Sequence, residues 1–382
     1  MTAVLGIVLV SALRAGADVG KVPGVVIDHS PAASGVYVGS PSIAILPDGG
    51  YVATHDLFGP KTKEHVSATT RVFRSEDRGK TWEHLTDIEG AFWSTVFVHR
   101  GELYLLGANR HHGNVVIRRS RDGGRSWTEP RDGSTGLLRV GEFHCAPVPV
   151  VVHAGRVWRG MEDAGGGTQW GVRYRAMVMS AAEGADLLRA ESWTFSNIVE
   201  RNPAWLGGAF NAWLEGNVVV TPEGRIVDVL RVDAKRPGEV AAIVQVSDDG
   251  KVATFDPKDG FVEFPGGTKK FTIRFDPVSK KYWALSNVIG PGDEGTPAAG
   301  TRNTLALVAS EDLRKWEVRC VILHHPDRAK HGFQYVDWQF DGEDIVAACR
   351  TAYDDGEGGA HSAHDADYLT FHRVSGFRTL MR

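Results

Sequence analysis

The sequence predicts an all-β fold built from repeated four-stranded sheets, and three observations lead to it. Residues 75–82 and 120–127 share the pattern S-x-D-x-G-x-x-W at a spacing of 45 residues. Short runs of alternating apolar and polar residues flank both copies, which is typical of strands joined by tight turns. Helical periodicity is nearly absent. Self-similarity at this period is typical of β-propellers, which bury their core only when neighbouring repeats stack.

The octapeptide has the chemistry of a tight turn between strands. Its Ser and Asp side chains are suited to bond backbone groups across the turn, and its Gly to take a positive φ. Its Trp can pack between neighbouring sheets. Weaker copies follow at Ser180 with Trp193, at residues 247–250 and at residues 310–316. The pattern resembles the Asp-box of sialidase-type propellers, which lies away from their active face and therefore indicates fold rather than function.

Counting the repeats predicts six blades in one domain, residues 24–377. The runs that read as the innermost strands of the blades are 40–46, 95–98, 146–152, 216–220, 270–275 and 335–340. Residues 24–28 form a further apolar run that is free to close the ring against the last blade.

Composition excludes several classes of protein. The 382-residue chain has a net charge of −4 with scattered Lys and Arg, which argues against a nucleic-acid partner. Its three cysteines are far apart and lack metal-site spacing, so they are interpreted as small apolar residues. Residues 1–17 match a signal peptide that lacks a basic start, which predicts a secreted or periplasmic protein with no membrane span after processing. We also expect the protein to be a monomer.

Strand order predicts where functional side chains gather. If the octapeptide turns define the lower face, inner strands begin and second strands end on the upper face. The polar residues at those positions, and just before third strands, include His55 with Asp56, His111, His112, His144, Glu215, Asn217, Arg231, Arg302, Tyr335, Arg350 and Tyr353. A purely structural protein has no reason to concentrate His and Arg there. We therefore expect a functional site at this mouth, although each His also has an ordinary interpretation as a turn or core residue.

This set of residues suits an acidic sugar. Guanidinium groups bind carboxylates through two parallel bonds, and imidazoles exchange protons near neutral pH. Together they favour removal of the proton α to a uronate carboxylate, followed by loss of the O4 substituent. That reaction is β-elimination.

Longer stretches carry a more specific resemblance. Residues 37–43, 55–59, 145–151, 213–222, 269–274 and 364–373 resemble a group of sialidase-like propellers acting on the L-rhamnose-α-1,4-D-glucuronate linkage and, more distantly, the ulvan lyases. The resemblance implies seven blades instead of six. It also implies a lyase site at His112 or His111, His144, Arg231 and Tyr335, with weaker matches at Arg302 and Arg350. His55 matches the histidine of a hydrolytic branch.

Four functions follow as candidates. The first is a polysaccharide lyase that eliminates terminal L-rhamnose from α-1,4-linked glucuronate in an acidic plant or algal glycan. The second is an α-L-rhamnosidase. The third is an exo-sialidase, which needs three arginines, a Tyr paired with Glu, and an Asp acid, but the usual Phe/Tyr-Arg-Ile-Pro segment is missing. The fourth is a non-catalytic glycan-binding propeller. No cofactor or catalytic metal is predicted, and a structural Ca²⁺ cannot be read from the sequence.

Overall fold

The computed structural model describes residues 21–380 as six β-sheets arranged around one axis. The predicted signal peptide, residues 1–17, lies outside the described residues. Strand β1 (Val25–His29) comes first. Blade 1 follows with β2 (Tyr37–Val38), β3 (Ser42–Ile45), β4 (Tyr51–Phe58), β5 (Thr69–Ser75) and β6 (Glu83–Glu89). Blade 2 contains β7 (Phe92–His99), β8 (Glu102–Ala108), β9 (Val115–Ser120) and β10 (Leu137–Arg139).

The later blades keep the same antiparallel order. Blade 3 contains β11 (Phe143–His144), β12 (Val151–His153), β13 (Arg156–Asp163), β14 (Arg175–Ala182) and β15 (Trp193–Phe195). Blade 4 contains β16 (Phe210–Val220), β17 (Ile226–Ala234), β18 (Val240–Val246), β19 (Ala253–Thr254) and β20 (Phe261–Glu263). Blade 5 contains β21 (Thr272–Asp276), β22 (Lys281–Asn287), β23 (Thr304–Ser310) and β24 (Glu317–His324). Blade 6 contains β25 (Gly332–Asp341), β26 (Asp344–Ala352) and β27 (Tyr368–Val374).

Helical structure is confined to short 3₁₀ turns at Ala32–Ser34, Ala190–Ser192, Trp205–Gly208, Ala298–Gly300 and Phe377–Leu380. Within residues 21–380, none of the helices has the length and apolar character needed to cross a bilayer. The three cysteines are unpaired; Cys145 and Cys349 are buried and Cys320 is half-buried.

The first strand closes the ring. Strand β1 pairs antiparallel with β27, with Val25 opposite Phe371, so it is the outermost strand of blade 6. The closure predicted for residues 24–28 is therefore confirmed, as is the count of six blades. The expectation of seven blades was wrong, because six sheets use the strands between residues 25 and 374 and the segments between blades form turns.

The octapeptide turns have the predicted hydrogen bonds. In the first copy the Ser75 hydroxyl lies 2.9 Å from Asp77 and accepts a 2.8 Å bond from the amide of Gly79. Asp77 also accepts from the amide and hydroxyl of Thr81, at 2.9 and 2.7 Å. Gly79 has a φ of 89°, and the Trp82 indole donates to its carbonyl. The second copy repeats this network through Ser120, Asp122, Gly124 and Trp127.

Three inner strands share a bulge with one left-handed residue. The register of β7, β16 and β25 shifts within 92–95, 214–217 and 334–337, respectively. At these bulges Trp93, Glu215 and Tyr335 have φ values of 51°, 61° and 54°, a region that non-glycine residues seldom adopt. A bulge redirects a side chain out of the ordinary alternation of a strand. All three side chains contribute to the same central cavity.

The residue two positions after each of these bulge residues ties its blade to the next one. Thr95 bonds both the amide and the carbonyl of Val148 in blade 3, each at 3.1 Å. Asn217 accepts from the amide of Ile273 in blade 5 at 3.0 Å. Asp337 accepts from the hydroxyl of Ser42 in blade 1 at 2.7 Å. These bonds hold the mouths of neighbouring blades in register.

Candidate functional site

A cavity of about 320 Å³ opens on the axis, and all six blades contribute to it. Its lining residues are Gly39, Ser40, Asp56, Phe58, Glu64, Phe92, Trp93, His111, His144, Cys145, Trp170, Tyr174, Leu214, Glu215, Arg231, Arg302, Tyr335, Arg350 and His364. The volume is suited to a single sugar ring. The side chains divide into a cationic side and an aromatic side.

Arg231 on the cationic side has an internal counterion. Its Nη1 lies 3.0 Å from Oε2 of Glu215, and its Nε donates to the carbonyl of Thr268 at 2.8 Å. Burial alone would raise the pKa of Glu215, but the charge and the hydrogen bond of Arg231, with smaller contributions from other cationic groups such as Arg302, together hold that pKa below its ordinary value. Burial opposes the charge of Arg231 as well, yet Glu215 and then Tyr335 keep its pKa above the usual range. The pair is therefore ionised and close to the Tyr335 phenol.

Arg302 and Arg350 have no such counterion. Both are buried, and within residues 21–380 neither forms an ion pair with a carboxylate. Arg302 donates to the amide oxygen of Gln334 at 2.7 Å, and Arg350 donates to the carbonyl of His364. Their guanidinium carbons lie 5.7 and 4.9 Å from the ring centre of Tyr335.

Burial without a counterion disfavours the charged form of both Arg302 and Arg350. Burial lowers the pKa of Arg302, and it lowers the pKa of Arg350 to about 10. Buried charges in proteins are normally paired, since an isolated one is expensive to desolvate. Two unpaired guanidiniums beside one phenol therefore form an anion site that an external carboxylate would complete.

The aromatic side surrounds His144. The Nδ1 of His144 lies 2.7 Å from Glu162, whose other oxygen accepts from the amide of Gly216 at 3.0 Å. Since an ionised carboxylate only accepts, Nδ1 carries the proton, and Nε2 is available as a base. The rings of Trp93 and Tyr174 lie 4.4 and 4.5 Å from the imidazole. This is the geometry of an oriented imidazole beside a stacking surface for a sugar.

Blade 1 supplies a carboxyl group. Asp56 is buried and accepts from the amide of Ser40 at 2.9 Å. Burial raises the pKa of Asp56 to about 6, above that of an ordinary aspartate. With this pKa, the Asp56 carboxyl group is suited to donate a proton near neutral pH. Close packing around Asp56 also requires glycine at position 39, because a Cβ there would lie 2.3 Å from the Asp56 carbonyl oxygen.

Eight of the predicted site residues line the cavity: Asp56, His111, His144, Glu215, Arg231, Arg302, Tyr335 and Arg350. Arg302 and Arg350, weaker matches from the resemblance, are as central as Arg231. The remaining predicted residues, His55, His112, Asn217 and Tyr353, are outside the lining.

His55 and His112 support neighbouring groups. His55 is fully buried, with Nε2 2.8 Å from Asp28 and Nδ1 3.0 Å from the carbonyl of Asp56. Both nitrogens are thus used within the fold, and the placement at the cavity was wrong. Nε2 of His112 lies 3.1 Å from the Tyr174 hydroxyl. Burial lowers the pKa of His112 to about 2, so its imidazole is neutral where it contacts Tyr174.

The prediction that Asn217 and Tyr353 lie at the cavity was also wrong. The bulge in β16 directs Glu215 inward, so Asn217 points to blade 5, where its amide bonds Phe271 and Ile273. Tyr353 is buried against His331, with ring centres 4.9 Å apart.

Sequence reasoning missed the aromatic wall. Trp93 lies just before a predicted inner strand, so its position carried a usable signal. Tyr174 and Trp170 lie in the loop between β13 and β14, where no periodicity indicates direction.

Within the part of the chain that the structure describes, two groups of side chains have metal-ligating chemistry. Glu64, His65 and His111 lie at the rim of the cavity, and His29, Asp355 and Asp367 lie beside blade 6. In each group the ligand atoms are within 4.8 Å of one another.

No family model and no curated sequence matches the chain. Solved structures do match over most of its length. The α-L-arabinanase of Penicillium chrysogenum, complexed with arabinobiose, is 15% identical with a TM-score of 0.57, covering 92% of this chain and 97% of that one. The fold is that of the sialidase-like six-bladed propellers. The Hadza microbial sialidase is 15% identical with a TM-score of 0.61, covering 92% of this chain and 68% of that one. The α-L-arabinofuranosidase of Fusarium graminearum is 11% identical with a TM-score of 0.59, covering 94% and 99%. At these identities the likeness establishes the fold alone.

Proposed function

We propose that the protein is a carbohydrate-active enzyme that holds an acidic sugar by its carboxylate and breaks the adjacent glycosidic bond. The observation that carries this proposal is the pair of buried guanidiniums, Arg302 and Arg350, which lie near the ring of Tyr335 and have no carboxylate partner among the described residues. The aromatic wall opposite suits stacking of a sugar ring. The fold shared with an arabinanase and a sialidase supports the same class.

The position of Tyr335 restricts which carbon reacts. A carboxylate bound between Arg302 and Arg350 would bring the carbon that bears it next to the phenol. Two kinds of acidic sugar react at that carbon. In a 2-ulosonic acid glycoside it is the anomeric carbon, and in a uronate it is C5, whose hydrogen is acidic.

The site supports hydrolysis of a 2-ulosonic acid glycoside best. Tyr335 attacks the anomeric carbon, its proton passes to Glu215, and Asp56 protonates the departing glycosidic oxygen. Water then attacks the tyrosyl-linked sugar, gives its proton to Asp56 and releases the free acid, while the phenolate regains its proton from Glu215. Three arginines, a Tyr near a Glu, and an Asp all line one cavity, which is the set the exo-sialidase alternative requires. Here Arg350 of blade 6 supplies the third guanidinium.

Elimination from a uronate is the second candidate, and the buried His144–Glu162 pair favours it. The Nε2 of His144 would take the C5 proton while the arginines neutralise the carboxylate. The O4 substituent would leave with a proton from Tyr335, and a C4=C5 double bond would form. A terminal L-rhamnose-α-1,4-D-glucuronate unit of a plant or algal glycan is the substrate class for this route. On either route we propose that the protein acts outside the cytoplasm, secreted or in the periplasm, without a cofactor.

The test offers both sugars to the same enzyme. One arm uses a fluorogenic 2-ulosonate glycoside, and the other uses uronate oligosaccharides capped with rhamnose. We expect release of the fluorophore, and loss of that release in Tyr335→Phe. The matched control is Tyr282→Phe. The Tyr282 hydroxyl lies outside the cavity lining and donates to the carbonyl of Val220 at 2.7 Å.

The products separate the candidates. Rising ultraviolet absorbance from an unsaturated uronate, lost in His144→Gln, would establish elimination. Rhamnose released without that absorbance would indicate a rhamnosidase. Binding of acidic glycans without turnover of either substrate would leave a glycan-binding propeller and contradict the catalytic proposal.

A further inference from the structure

A second polar cluster lies beside the ring closure, away from the central cavity. His29 is the last residue of β1, Asp367 directly precedes β27, and Asp355 lies in the loop between β26 and β27. Each offers one ligand atom, and the three atoms lie within 4.8 Å of one another. Residues from both ends of the chain therefore meet at one point.

The cluster contains a buried carboxylate with one unpartnered oxygen. Asp367 is completely buried, and its Oδ1 accepts from the amide of Tyr353 at 3.0 Å. Its Oδ2 has no hydrogen-bond partner among the described residues. Buried polar atoms are nearly always satisfied, so an orphan oxygen indicates a group that the protein chain does not itself provide.

The other two ligands are held in position by the fold. Asp355 uses Oδ1 to accept from the amides of Glu357 and Gly359, each at 2.7 Å, which turns Oδ2 toward His29. That Oδ2 lies 3.2 Å from Nε2 of His29. The imidazole stacks on Tyr368 with ring centres 4.3 Å apart. Ligands whose orientation is fixed by outer contacts are a regular property of metal sites.

The charges also favour a cation. No Lys or Arg forms an ion pair with Asp355 or Asp367 among residues 21–380. A bound cation would offset the negative charge that the two carboxylates bring together.

We infer that His29, Asp355 and Asp367 bind one divalent first-row transition ion that fastens strand β1 to the loop between β26 and β27. One imidazole with two carboxylates suits Zn²⁺ or Mn²⁺, whereas Ca²⁺ prefers oxygen ligands alone. The ion would join the two ends of the described chain. It would also fix the base of the loop that carries His364, a residue lining the central cavity.

The experiment measures metal binding and thermal stability in the full chain. After EDTA treatment and dialysis, Zn²⁺, Mn²⁺ and Ca²⁺ are added separately, and Tm and metal stoichiometry are recorded. We expect one equivalent of Zn²⁺ or Mn²⁺ to bind and to raise Tm by several degrees, since a ligand that binds only the folded state stabilises it. Hydrogen exchange should slow in β1 and in residues 353–367.

Variants separate this site from incidental binding. Asp367→Asn and His29→Gln should each abolish both the bound equivalent and the Tm rise. The control is His84→Gln, which alters an exposed His–Asp pair with a 2.7 Å contact but no second carboxylate ligand. If Asp367→Asn does not fold, the partly exposed His29→Gln decides alone. An unchanged Tm in the wild-type protein with all three ions, or a rise that survives His29→Gln, would overturn the proposal.

Discussion

The buried guanidinium of Arg350 should destabilise the fold that contains it, and Arg350→Met tests this. Burial lowers the pKa of Arg350 from its ordinary 12.5 to about 10. At 1.36 kcal/mol for each unit, keeping that charge costs about 3 kcal/mol of folding free energy. Methionine fills much of the same space without the charge.

Two losses offset this gain. The carbonyl of His364 loses the hydrogen bond from Arg350 but keeps its 3.0 Å bond from the side chain of Gln334, so it still has a hydrogen-bond donor. The guanidinium also lies 4.4 Å from the ring centre of Phe58 and 4.9 Å from that of Tyr335, contacts that together contribute about 1–2 kcal/mol. The net expectation for Arg350→Met is an increase of about 1–2 kcal/mol in the free energy of unfolding.

Arg231→Met is the matched comparison, and it should behave in the opposite way. Removing Arg231 leaves Glu215 buried without its 3.0 Å partner. Loss of one member of a buried pair costs about 3–5 kcal/mol.

Urea unfolding at neutral pH, followed by tryptophan fluorescence, measures both variants. The gain for Arg350→Met should persist from mildly acidic pH to pH 9, because the penalty on the charged form fades only as the pH rises past about 10. If both arginine variants lose stability equally, Arg350 contributes to folding, and the argument for an anion site held at the expense of stability fails.

Three further outcomes follow from the structure. Tyr335→Phe should lower kcat by roughly 10³-fold or more with little change in KM, and an equal effect on KM alone would rule out a reactive phenol. The pKa of Asp56 is raised to about 6, so the contribution of Asp56 to the free energy of unfolding, measured as wild type minus Asp56→Asn, should fall by about 3 kcal/mol as the pH rises from about 4 to about 6. The wild-type kcat/KM should decline above about pH 6 as the acid ionises; a flat profile would exclude Asp56 as the acid. Ser75→Ala should cost about 1–2 kcal/mol in urea unfolding because the buried amide of Gly79 loses its acceptor, whereas the exposed Ser134→Ala should cost almost nothing.

The sequence predicted the fold well because the octapeptide turns are local. Every bond that defines the first turn lies within residues 75–82, so the pattern contains the whole structure. The turns also oriented the blades correctly, and this placed Arg231, Arg302 and Arg350 at one mouth from three different blades. Strand order alone supplied that convergence.

The sequence did not predict which side chains of a strand point toward the central axis. Side chains alternate along a strand, so a single bulge changes which residue faces the axis. Glu215 and Asn217 were both predicted for the cavity, but the bulge sends only Glu215 there. The prediction that His55 lies at the cavity was wrong for a different reason, because its partner Asp28 belongs to a strand distant in sequence. The direction of Tyr174 depends on how a loop packs, which no local pattern encodes.

The pairing of β1 with β27 has a consequence for synthesis of the protein. β1 is synthesised before the other described strands, and β27 is synthesised after them. Until then, the apolar residues of Val25–His29 have no native partner, and blade 6 presents an open edge. Folding of the first five blades can proceed during elongation, but the ring closes only after β27 has left the ribosome, so β1 is the strand that waits longest for its partner and is the most exposed to chaperones, proteases and mispairing with a second chain.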